Sequence, residues 1–219
     1  MKLSKSLLSA AAVACLVAAP LSAQAGTLKM TLDDGVNPIV TLIDPLGSTV
    51  SFTGVIGNWT INFTNGIGAD VTPGIHGLDL HSFNATSTAG GTLTIKLSED
   101  GLTFGAGGSA QVTGLIGGTN LGSSSNLAYS LYTDNSNALF GTGALAFSGS
   151  TSANSFNQSG GVSTALSNPY SMTLITVLNH TGASQTSYDF GSQVPEPASI
   201  ALVGLALVGL GAASRRRKT

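Results

Sequence analysis

Cysteine is nearly absent from this sequence: a single one, Cys15, stands in 219 residues, and it lies in the leading apolar segment. From Gly26 onward there is no thiol, so disulfide bridges and thiol chemistry are excluded there and stability must come from a packed core. Charge is scarce too, at 8% of residues. Between Gly26 and Val194 the basic residues are Lys29 and Lys96, against nine acids: Asp33, Asp34, Asp44, Asp70, Asp79, Glu99, Asp100, Asp134 and Asp189. That stretch therefore carries −7 (two minus nine), although the whole chain sums to −2. Such a surface offers no electrostatic footprint for nucleic acid or an anionic membrane face. No Gly-x-Ser-x-Gly elbow is present, and no amphipathic stretch of three helical turns occurs in the body.

Glycine, serine, threonine and asparagine fill the space left, with 29 glycines overall. The apolar residues recur with a period of two. Trp59, Ile61 and Phe63 alternate with Asn and Thr; so do Leu28, Met30 and Leu32, then Leu93, Ile95 and Leu97, then Leu127, Tyr129 and Leu131, then Tyr170, Met172 and Leu174. Alternation of this kind reads as half-buried antiparallel strands. Asp33-Asp34-Gly35, Asn65-Gly66, Glu99-Asp100-Gly101 and Gly117-Gly118 read as turns between them, because Gly, Asn and Asp tolerate positive φ. About ten to twelve short strands predict an all-β ectodomain, a single antiparallel β-sandwich with the jelly roll among its forms. The segments Thr27–Gly35 and Thr92–Gly101 echo one another, which a common hairpin solution used twice explains.

The body offers few candidates for chemistry. In His76-Gly77-Leu78-Asp79-Leu80-His81, Asp79 and His81 are two apart and share a strand face, so a carboxylate can orient an imidazole or both can meet a metal. A zinc site needs a further ligand, and His180 is the one histidine left. The acidic turns at Asp33-Asp34 and Glu99-Asp100 have calcium-type oxygens but no continuing ligand series. The glycine-rich runs at Gly105–Ala110 and Gly141–Ala146 match a loose dinucleotide pattern, yet no helical segment follows either. No cofactor or metal is expected, and no enzyme. A hydrolase would need a cleft with two close carboxylates, and a carbohydrate-binding module would need exposed rings, whereas Trp59 alternates on the core side.

Both ends are of another character. Lys2 and Lys5 precede an apolar run from Leu7 to Ala19, and Ala23-Gln24-Ala25 supplies a small-x-small cleavage pattern. Residues 1–25 thus read as a signal peptide with a signal-peptidase cut after Ala25. At the other end, Val194-Pro195-Glu196-Pro197 precedes an apolar run from Ala198 to Ala213, then Ser214-Arg215-Arg216-Arg217-Lys218-Thr219. The prolines predict that 194–197 stays extended and unpaired. As a helix the 16 apolar residues span about 24 Å, marginal for a bilayer. Arg215, Arg216, Arg217 and Lys218 would hold the cytoplasmic side of the inner membrane as a stop-transfer cluster.

These three parts in this order resemble the PEP-CTERM sorting signal of Gram-negative bacteria. The resemblance covers about 26 residues and implies recognition of Pro195, Glu196 and Pro197 by an exosortase, an integral-membrane cysteine transpeptidase. It also implies removal of the tail and delivery to the cell surface or an exopolysaccharide matrix. The expected organisation is signal peptide 1–25, β-sandwich 26–193, and sorting signal 194–219, with motif 194–197, transmembrane helix 198–213 and basic tail 214–219. The function expected is that of an exported surface or matrix protein, structural or adhesive in a biofilm and in contact with extracellular polysaccharide. A carbohydrate-binding module and a secreted hydrolase are the alternatives for the body, and a plain membrane anchor the alternative for the tail.

Overall fold

A computed structural model describes residues 26–68, 75–104, 107–122 and 125–195 of the chain. The expected signal peptide with Ala23 and Ala25, the apolar run 198–213, Glu196, Pro197, Arg215, Arg216, Arg217 and Lys218 lie outside the described residues. The described residues contain thirteen strands and no helix: β1 (Leu28–Asp33), β2 (Val40–Asp44), β3 (Thr49–Ile56), β4 (Trp59–Ile67), β5 (Ile75–His76), β6 (Asp79–Ser87), β7 (Gly91–Leu102), β8 (Gly108–Leu121), β9 (Ser125–Asp134), β10 (Ala144–Thr151), β11 (Ser155–Leu166), β12 (Tyr170–His180) and β13 (Ser184–Pro195). Every pairing is antiparallel.

Two sheets form, in the orders β10-β9-β12-β7-β1-β2 and β11-β8-β13-β6-β4-β3. The last eight strands supply β7-β12-β9-β10 to one sheet and β6-β13-β8-β11 to the other, so that β6 lies over β7, β13 over β12, β8 over β9 and β11 over β10. That is the jelly roll, and the β1–β2 and β3–β4 hairpins widen each sheet at one side. Alternation builds the core between the sheets. Leu28, Met30, Leu32, Trp59, Ile61, Phe63, Leu93, Ile95 and Leu97 are all buried, as the period of two requires. The echoing segments are β1 and β7, adjacent strands paired from Leu28↔Glu99 to Asp33↔Thr94.

Three of the four expected turns are strand instead. Asp33-Asp34-Gly35 is a true turn, in which the Asp33 carboxylate accepts the Gly35 N–H at 2.8 Å. Glu99-Asp100-Gly101 lies within β7, where the register against β12 slips and Gly101, at φ +71°, supplies the left-handed residue of a bulge. Gly117-Gly118 lies within β8; a Cβ on Gly118 would fall 2.2 Å from the Ser187 carbonyl oxygen, so glycine here permits close approach of strands. Asn65-Gly66 likewise sits in β4, opposite the irregularity between Val50 and Phe52. Glycine in this chain marks bulges and contacts as often as reversals.

The two outer faces differ. Over β7 and β12, the 135–143 connection is bonded down: the Phe140 N–H donates to Ser98 Oγ (2.9 Å), Ser171 Oγ to the Ala138 carbonyl (2.7 Å), and the Gly101 N–H to Asn137 Oδ1 (2.7 Å). Ser98, Ser171 and Thr173 are buried as a result. The outer face of the other sheet carries an open cleft.

Candidate functional site

The cleft, of about 1020 Å³, crosses β6, β13, β8 and β11. Its polar lining includes Asp79, His81, Asp189, Asn157, Thr119 and Gln193, and Gly117 and Gly191 leave the backbone uncovered at its base. The register explains the grouping: Asp79 pairs with Gly191, which pairs with Leu115, while Asp189 pairs with Gly117, which pairs with Asn157. A bulge at His81–Ser82 adds a residue to β6 opposite Asp189, between the pairs Tyr188↔Phe83 and Phe190↔Leu80. Ser82 takes the left-handed conformation there, φ +56°, unusual for a residue with a Cβ. Its N–H donates to Asp189 Oδ1, and His81 Nδ1 lies 3.3 Å from the same oxygen. Both side chains remain more than half exposed, so this ion-pair geometry stands in water.

Asp79 is set deeper. Burial pushes its carboxyl above the ordinary value, His81 offsets part of that, and the neighbouring Asp189 adds to it. The cleft thus presents two carboxylates, an imidazole, side-chain amides and hydroxyls over a base without side chains. Donors and acceptors of this kind suit a neutral, hydroxyl-rich chain held by hydrogen bonds.

The expected residues are redistributed. Asp79 and His81 do share a face, but the carboxylate beside the imidazole is Asp189, because the bulge swings His81 toward β13. Asp189 was legible only as the polar member of Tyr188-Asp189-Phe190, an outward residue between two buried rings. His180 is far from this group. It is 1% exposed between the sheets, with Nδ1 2.8 Å from Ser87 Oγ, Nε2 2.9 Å from Thr186 Oγ1, and its ring 4.7 Å from that of Trp59. Trp59 is 2% exposed, so it is core. In the acidic turns, Asp34 Oδ1 accepts the N–H groups of Val36 and Asn37, Glu99 is buried, and Asp100 Oδ1 accepts the Thr27 N–H. The Asp34 and Asp100 carboxylates are thus engaged by backbone N–H groups. The run at Gly141 leads into β10, not a helix, and Gly108 opens β8.

The other candidate element is the end of β13. Strand pairing continues past the expected boundary at Gln193: Val194 pairs with His76 and Pro195 with Ile75 of β5. Val194 is fully buried. The expectation that this part of the motif is unpaired is therefore corrected. Proline lacks a donor but keeps an extended φ and a carbonyl, which suffices at a strand terminus.

The family model for the PEP-CTERM protein-sorting motif matches residues 193–218. The chain carries a PEP-CTERM sorting motif. That match is consistent with an exosortase substrate and implies export. No curated protein matches the chain. Among solved structures it is similar to the CBM22-1 xylan-binding domain of Paenibacillus barcinonensis Xyn10C, at 12% identity and TM-score 0.33, covering 69% of this chain and 88% of that one. It is also similar to the K1 cleaved adhesin domain of Lys-gingipain from Porphyromonas gingivalis W83, at 14% identity and TM-score 0.33, covering 69% and 99%. A third is TmCBM61 in complex with β-1,4-galactotriose, at 9% identity and TM-score 0.34, covering 61% and 86%.

Proposed function

We propose that this is a surface or extracellular-matrix protein, structural or adhesive in a biofilm, that is handed to an exosortase by its C-terminal segment. The observation that carries the reading is the sorting motif at 193–218. In this reading Pro195, Glu196 and Pro197 are the recognition element, the run 198–213 crosses the inner membrane, and Arg215, Arg216, Arg217 and Lys218 stop transfer. Signal peptidase cuts after Ala25. Packing from the next residue onward supports this, since a Cβ on Gly26 would collide with the Asp100 carbonyl. The mature protein is the sandwich.

Its cleft holds neutral polysaccharide through hydrogen bonds. With Trp59 buried and no ring among the exposed large hydrophobics of the described residues, a stacking platform is not the means. Hydrogen bonds exchanged against water hold each chain weakly, and many copies on a surface make that sufficient. Adhesion fits this better than capture of a single small sugar.

Two measurements test the reading. Intact mass and fractionation of protein from its host, with and without the sorting enzyme, should find the tail gone from surface-located protein in the first case only. A tail retained from Ala198 onward on surface protein would instead mean a plain anchor. Binding of residues 26–195 to a polysaccharide array should be weakened by Asp189→Ala, and silence across the array sinks the polysaccharide half. Release of reducing ends that disappears in Asp79→Asn and Asp189→Asn would replace adhesion with hydrolysis at the same cleft.

A further inference from the structure

The cleft and the sorting segment share strand β13, and the end of that strand is held with unusual thoroughness. Ser192 is 5% exposed; its N–H donates to the Leu78 carbonyl at 2.8 Å, and its Oγ accepts the Leu78 N–H at 2.8 Å. The same hydroxyl lies 3.2 Å from the Leu78 carbonyl. One residue earlier, Gly77 presses against the strand so closely that a Cβ would fall 1.8 Å from the Ser192 carbonyl oxygen. Val194, buried completely, and Pro195 then pair with His76 and Ile75. The segment 75–78 is thus a short clasp laid along residues 192–195.

Slack is missing on the other side. Only Glu196 and Pro197 separate the last paired residue from the apolar run that begins at Ala198. Two residues reach about 7 Å at full extension. A membrane-embedded enzyme that reads the Pro195-Glu196-Pro197 peptide must take it as a free extended chain, and one third of that peptide is engaged in the sandwich.

We propose that the 75–78 clasp is a positioning element for the sorting reaction: it withholds Pro195 from the exosortase until the pairing of β5 with β13 opens. This rests on the sorting reading above. The clasp sets the rate of tail removal, with Gly77 permitting its closure and Ser192 and Val194 securing it.

Full-length protein expressed in its host provides the test, followed by pulse-chase of tail removal. A His76→Cys/Val194→Cys variant places two thiols at directly opposed positions of an antiparallel pair, within disulfide reach. Once alkylation shows the bridge formed, tail removal should slow at least tenfold and return on adding reductant. Gly77→Ala, which forces the clasp apart, should speed removal several-fold; protease resistance of the exported domain verifies that it still folds. A bridged protein processed at the unbridged rate overturns the clasp. A Pro195→Ala/Glu196→Ala/Pro197→Ala variant separates the two ideas. If it is processed as fast as the parent, the sorting reading itself fails and the clasp with it; if it alone keeps its tail while the bridged protein does not, only the clasp fails.

Discussion

His180 is the residue whose environment makes the firmest promise. It sits between the sheets in a polar chain that runs from Ser87 through His180 and Thr186 to Asn120, each member buried. Burial lowers its pKa below the ordinary 6.5. In the unfolded chain the ring takes a proton near the ordinary value, while the folded state refuses it. Stability from this group is therefore complete above pH 6.5 and declines as pH falls below it toward the lowered folded value. Melting temperature should be flat from pH 8 to about 7 and drop toward pH 5, and His180→Gln should flatten that drop. An unchanged slope in the variant would assign the effect elsewhere. Asp79 has the opposite sign: its raised pKa means that the ionised form is disfavoured in the fold. Asp79→Asn should raise the melting temperature at pH 7, with the gain shrinking as acid protonates the parent carboxyl. Trp59, buried against His180 at the hairpin end of β4, should cost about 3–5 kcal/mol when cut to alanine. Thermal unfolding would register this as a fall of roughly 10 °C in a domain of this size.

At the scale of elements, strands declared themselves and their irregularities did not. The alternation at Trp59-Ile61-Phe63 or Leu93-Ile95-Leu97 reports which face is buried, because one side of each strand meets the core. Glycine carries no such pattern. Asp33-Asp34-Gly35 and Glu99-Asp100-Gly101 look alike in sequence, yet one reverses the chain and the other bulges β7, since the choice is made by what lies across the strand. The bulge at His81–Ser82 had no composition signal at all, and with it the partnership of His81 and Asp189 stayed hidden. Asp79 and His81 on one face were legible, because that follows from period two alone. Gly101→Ala tests the bulge reading. At φ +71° a Cβ should cost about 1–2 kcal/mol. A melting temperature unmoved by the change would mean that β7 regularises around it.

For the whole molecule, the first and last described residues of the sandwich, Gly26 and Pro195, lie at one pole. The short 88–90 connection joins β6 to β7, so the start of β6 at Asp79 and the end of β7 near Asp100 lie at the same end. Gly26 abuts Asp100, and Pro195 lies just beyond the Gly191–Asp79 pair. A domain cut to residues 26–193 loses the β5–β13 pairing and the burial of Val194, and should melt several degrees below one that ends at Pro195. Equal melting curves would make those two residues ornamental to the fold. The inner place of β13, between β6 and β8, also governs timing. An exported chain emerges from its amino end, so β6 and β8 leave the channel with nothing to bridge them and their facing edges unsatisfied. The gap is filled only when residues 184–195 follow, and by then the apolar run is two residues behind. The sandwich therefore closes only once residues 184–195 have arrived, and a chain cut short of them leaves its sheet unfinished.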